Sequence, residues 1–136
     1  MKLNEWTAYF LKENKELIEK EDYYRLFKNF DDWYASHSPV DFYITVHNCM
    51  ETDITNILAK SLGIDYILSK MTRIPSYFFT YFAIPTPEIC IPPNINYIEE
   101  NAFLQCDVPK VSYYKETKLD PLAFNDYDGK VVRLDG

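Results

Sequence analysis

Glycine is scarce: the chain has three in 136 residues, Gly63, Gly129 and Gly136. A phosphate-cradling loop needs clustered glycines so that successive backbone amides can approach the anion, and this spacing excludes one. Histidine is scarcer still, with His37 and His47 alone. The three cysteines, Cys49, Cys90 and Cys106, are odd in number and share no C-x-x-C or zinc-ligand spacing. No apolar run approaches the twenty or so residues of a membrane span, and Met1 to Lys20 is too regularly polar for a secretory leader. Basic residues are outnumbered, 14 against 21 acidic, giving a net charge of −7. That field opposes a phosphate backbone, so direct nucleic-acid binding is not expected. The expectation is a chain in the cytoplasm with reduced thiols.

Little of what remains can carry catalysis. The single thiol–imidazole candidate is Cys49 with His47, two residues apart. On a strand their side chains stand side by side and do not converge. Asp126, Asp128 and Gly129 have a calcium-loop flavour, but with Gly129 in the sixth position the first ligand falls on Phe124, which cannot coordinate. The expectation is therefore no catalytic residue, no cofactor and no metal.

The chain is rich in rings, with twelve tyrosines and nine phenylalanines. It also repeats itself. Ile74 to Phe79 reads I-P-S-Y-F-F, Ile98 to Phe103 reads I-E-E-N-A-F, and Leu119 to Phe124 reads L-D-P-L-A-F. Each has an aliphatic residue, four further positions and then phenylalanine, offset by 24 and then 21 residues. A period of twenty-odd residues marks a solenoid, in which each unit buries its apolar side against its neighbours. The spacing predicts a unit of one strand (Glu88 to Ile91, Lys110 to Tyr114), a proline-bearing turn, and one helical or 3₁₀ turn ending in phenylalanine. Asp128-Gly129 is a turn signal that predicts a small closing hairpin running into Val131 and Val132.

Upstream the texture is helical. Leu3, Trp6, Phe10 and Leu17 share a face that thins near Asn14. Asp22 is placed to cap a second helix carrying Tyr23, Leu26, Phe27, Phe30, Trp33 and Tyr34, ending at Ser36–Pro39. Asp41 to His47 alternates as a strand does. Thr52 or Asp53 caps a third helix that Gly63 stops, and Ile64, Ile67, Leu68 and Met71 suggest a short fourth. The fold class is α+β: a helical head over residues 1–71 capping a repeat stub over residues 72–136, on one continuous core.

Ile91, Pro92, Ile95, Ile98, Ala102, Phe103 and Cys106 stand in the register I-P-x-x-V-x-x-I-x-x-x-A-F-x-x-C, which resembles the BspA-type leucine-rich repeat. The flanking units keep the aliphatic and the phenylalanine, but Phe78 replaces the alanine in the first and neither has the cysteine. Phe10 to Ile18, with Gly63 to Leu68 running into Ile74-Pro75, resembles small bacteriophage-encoded proteins with a helical head before two to three such repeats. The resemblance implies a phage or prophage accessory protein that acts by binding a host or phage protein, and it brings no catalytic residues. The rings expected to be exposed for that binding are Tyr97, Tyr113, Tyr114 and Tyr127. An alternative is an acidic inhibitor of a host defence nuclease or nucleic-acid-binding complex, of anti-CRISPR or anti-restriction type, working through Glu13, Glu16, Glu19, Glu21 and Asp22, with Asp31 and Asp32. Homo-oligomerisation through an unpaired strand edge stays open.

Overall fold

The computed structural model of the chain describes residues 3–29 and 54–134. The expected strand at Asp41–His47, the end of the second helix, the cap at Thr52 or Asp53, and His37, His47 and Cys49 lie outside the described residues. Within them, helices precede two small parallel sheets, a mixed α and β chain.

Helices α1 (Leu3–Glu13) and α2 (Lys15–Glu19) are separated at Asn14, where the sequence reading puts the break. The Asn14 amide and its side-chain Nδ2 both donate to the Phe10 carbonyl, at 3.1 and 2.9 Å, which closes α1 from its own end. Helix α2 ends with Glu21 in the left-handed region (φ 58°), the Asp22 amide returning to the Leu17 carbonyl and the Glu21 amide to Ile18. Asp22 then caps α3, helical over 23–29, by accepting the Arg25 amide. Helix α4, helical over 54–62, and α5 (Ile64–Ser69) meet at Gly63, whose φ of 85° few other residues would take.

From Thr72 onward the chain winds in coils. Strands β1 (Arg73–Ile74), β3 (Tyr97–Ile98) and β5 (Lys118–Leu119) form one parallel sheet, and β2 (Ile89–Cys90), β4 (Lys110–Tyr113) and β6 (Lys130–Arg133) form the other. Ile74, Ile98 and Leu119 are in register. Their downstream rings stack: Phe79 on Phe103 with centroids 4.8 Å apart and planes at 12°, and Phe103 on Phe124 at 4.9 Å and 19°.

Three expectations are corrected here. A unit contains two strands rather than one, because the aliphatic that opens each repeated segment is itself on a strand. The segment that follows is a chain of β-turns rather than a helical or 3₁₀ turn. Amides of Phe78, Thr80 and Phe82 donate three residues back, as do those of Ala102, Leu104 and Cys106, and of Ala123, Asn125 and Tyr127. Helical continuation is blocked by positive φ at Tyr77 and Tyr81, at Asn101 and Gln105, and at Asp126. The closing hairpin is also overturned: β6 pairs in parallel with β4, twenty residues earlier in register, so the Asp128-Gly129 turn leads into a further coil.

Buried side chains of helices and coils form one cluster, from Phe10, Tyr23, Leu26 and Phe27 through Phe78 and Phe79 to Phe103 and Ala123. The column Phe78–Ala102–Ala123 explains the odd residue of the first repeat. Alanine lets coils stack closely, whereas Phe78 meets the Phe27 ring of α3 edge-on at 4.7 Å. The first coil thus presents a large ring where its neighbour is the head.

Candidate functional site

Polar side chains from head and coils are brought together at their junction. Asn94 and Glu99 build the junction. Asn94 Nδ2 donates to the carbonyls of Leu68 and Met71, both at 2.8 Å, and so ties the second coil to the end of α5, where the Leu68 carbonyl also accepts the Met71 amide. Glu99 follows the inward-facing Ile98 and is only 8% exposed. Its carboxylate is met by Lys28 Nζ at 2.7 Å, Arg73 Nε at 2.7 Å, the Tyr24 hydroxyl at 2.7 Å and the Ser76 amide at 3.2 Å. Burial opposes its charge and is the largest single influence. The hydrogen bonds from Lys28, Tyr24 and Arg73 together outweigh it and hold the carboxyl below its ordinary pKa. Glu99 therefore clamps α3 and the first coil from the second coil. Glu-Glu inside a repeat carries no local cue to a partner, and the cations of Glu99 come from residues 71 and 26 positions away, so the clamp is not legible from the residues around it.

The four tyrosines expected to be exposed are all half-buried, and they do not share a face. Tyr97 lies on β3 between Arg73 and Lys118 in register. The Arg73 guanidinium sits 4.3 Å from its ring centre, and its hydroxyl donates to Asp120 at 3.2 Å. Tyr113, on β4, packs against the core, as does Tyr127. Tyr127 leans on Phe103 and Phe124 and donates to the Val108 carbonyl at 2.5 Å. Burial pushes its pKa up to about 12. Tyr114 is different: with Asp65, Cys90, Pro92 and Pro93 it lines an open groove of about 330 Å³. Tyr97 and Tyr114 are thus the two whose rings are not part of the core packing.

Cys90 is an exposed free thiol on β2, and Cys106 is buried, its pKa raised to about 11 by burial. On the opposite margin, Tyr81, Gln105 and Asp126 repeat at the coil offset and bond in sequence. The Tyr81 hydroxyl donates to Gln105 Oε1, and Gln105 Nε2 donates to Asp126 at 3.2 Å. They border a shallow groove with Asp107, Asp128 and Lys130. No three histidine, cysteine or carboxylate side chains among the described residues are grouped to hold a metal ion, and no described helix is long and apolar enough to cross a membrane.

No family model, curated protein or solved structure matches this chain.

Proposed function

We propose that the chain is a non-enzymatic protein–protein interaction module, a helical head on a stub of BspA-like repeats, serving a phage or prophage as an accessory protein that binds a host or phage protein in the bacterial cytoplasm. The observation that carries the reading is the coil register: Ile74, Ile98 and Leu119 on adjacent rungs with their phenylalanines stacked. A stack of this kind spends its apolar residues on its neighbours and leaves two flat sheet faces outward, the surface by which repeat proteins bind macromolecules. Tyr97 and Tyr114 are the anchors this geometry favours, because each offers a half-exposed ring on or beside the middle strand of a sheet without supporting the core.

The test is affinity capture from a bacterial lysate with mass spectrometry, comparing the natural chain with a Tyr97→Ala/Tyr114→Ala variant. A protein retained by the natural chain should bind the variant about tenfold or more weakly, as loss of interface anchors does. The variant's melting temperature should stay close to that of the parent. Equal retention by both chains, or no protein retained by either, would overturn the reading.

A further inference from the structure

A groove of about 330 Å³ opens between α5 and the second sheet, lined by Asp65, Cys90, Pro92, Pro93 and Tyr114. Its walls come from three parts of the chain. Asp65 is on α5 and Cys90 on β2, while Pro92 and Tyr114 are equivalent positions of adjacent coils, each two residues past the paired Cys90 and Ser112. Asn94 bonds the second coil to the end of α5, so the two sides of the groove are fixed to each other.

One wall is an unpaired strand edge. The Ile91 amide donates to the Ser112 carbonyl at 2.7 Å, and the parallel register sets Cys90 opposite Ser112. Ile89 and Ile91 therefore turn their ladder groups to β4, and Cys90 turns its amide and carbonyl away from it. Strand β2 is outermost in its sheet, and among the described residues neither backbone group of Cys90 is hydrogen-bonded.

Asp65 is the single charged side chain of the lining. Its carboxylate and the Tyr114 hydroxyl make no hydrogen bond or ion pair among the described residues. The cations nearest along the chain do not serve it. Lys70 is paired with Glu21 and Lys110 with Glu88. Lys60 and Lys115 stand outside the lining, and Glu116 follows Lys115 directly. A carboxylate, a tyrosine ring and two prolines suit one side chain above others. Arginine lays its apolar stem on proline and ring, stacks its guanidinium on tyrosine and bonds a carboxylate through two N–H groups.

We propose that this groove takes an extended, arginine-bearing segment of a partner protein, its backbone paired with the Cys90 amide and carbonyl and its guanidinium between Asp65 and Tyr114. The proposal names a partner chemistry for the docking module argued above and rests on that reading. A second copy of the chain is a poorer occupant, since two chains of net charge −7 repel each other.

Amide NMR titration of the full chain tests it, with three short peptides. One alternates threonine and valine around a single arginine, the second has citrulline in place of the arginine, and the third is the arginine peptide N-methylated on both sides of that residue. The arginine peptide should shift the amides of Asp65, Cys90 and Tyr114 most and bind at least about tenfold tighter than the other two. Asp65→Asn should weaken it to the level of the citrulline peptide and leave the citrulline peptide unchanged, a pairing that general damage to the fold would not produce. Tyr114→Ala should weaken both, and thermal melts check that the two variants fold. Equal binding of the citrulline peptide, shifts centred elsewhere, indifference to Asp65→Asn, no binding of any peptide, or a dimer by light scattering that the arginine peptide does not dissociate would each overturn the proposal. A lysate protein lost by Tyr97→Ala/Tyr114→Ala but held by Asp65→Asn and by Tyr114→Ala alone would overturn the arginine groove and leave docking through Tyr97 standing.

Discussion

Replacing Glu99 should loosen the head from the coils, and the loss should depend on pH. Cutting a buried ion pair from one side typically costs about 3–5 kcal/mol, because the partner is left charged and dry. Here the cations are not dry: the Lys28 and Arg73 side chains are 39% and 44% exposed and recover water when released. What Glu99→Ala removes outright is the charge-assisted acceptor of the Tyr24 hydroxyl and the Ser76 amide, worth roughly 1–1.5 kcal/mol each, plus a screened share of the two ion pairs. The expected loss is about 2–3 kcal/mol near neutral pH, and about half that for Glu99→Gln, which keeps an acceptor but no charge. The folded-state pKa lies below that of an unfolded glutamate, about 4.3. The charge-dependent stabilisation is therefore complete above that pH and drains away as pH falls through the folded value. Urea unfolding of the natural chain and Glu99→Gln should give midpoints separated by a constant gap above about pH 5 that narrows below about pH 4. Identical midpoints at neutral pH, or a gap unchanged down to about pH 3, would refute the clamp.

Two further outcomes follow from packing. Phe103→Ala should cost about 3–5 kcal/mol in urea unfolding, since the ring is fully buried between two stacked neighbours. Phe124→Ala, on the last rung and half-buried, should cost about half as much; equal losses would contradict the gradient of exposure along the stack. Gly129→Ala sets a methyl 2.1 Å from the Tyr127 hydroxyl and 2.8 Å from the Pro109 carbonyl oxygen. It should cost about 1–3 kcal/mol, and less in a Tyr127→Leu background, where strictly additive losses would show that the clash is not with that ring.

The ladder was legible because aliphatic and phenylalanine recur at offsets that the strand register then reproduces. The helix break at Asn14, the cap at Asp22 and the stop at Gly63 were legible because each depends on a residue's own backbone or side-chain chemistry. What could not be read depended on partners far along the chain. Two-residue strands at Ile74, Ile98 and Leu119 are too short for alternation to show, and Pro75 and Pro121 suggest turns beside them. The Asp128-Gly129 signal is the same whether the next strand folds back locally or pairs with a coil twenty residues away. Glu99 finds its cations 71 and 26 residues away, beyond any local cue, and the tyrosines looked exposed because tyrosine often is. Of those four rings, Tyr113 and Tyr127 are spent largely on the core.

The two ends of the stack divide the work of the molecule. Coils bury their apolar residues only against neighbours, so a few of them cannot hold together alone. The head supplies what the missing coils would, through Phe27 on Phe78, Asn94 on the end of α5, and Glu99 between Lys28 and Arg73. No comparable set of contacts covers Val131, Leu119 and Phe124 among the described residues. On the docking reading, the head secures the stack and leaves the outward sheet faces to a partner. A variant that weakens the clamp should then lower binding only in proportion to the unfolded fraction, whereas Tyr97→Ala/Tyr114→Ala should lower binding with the fold intact.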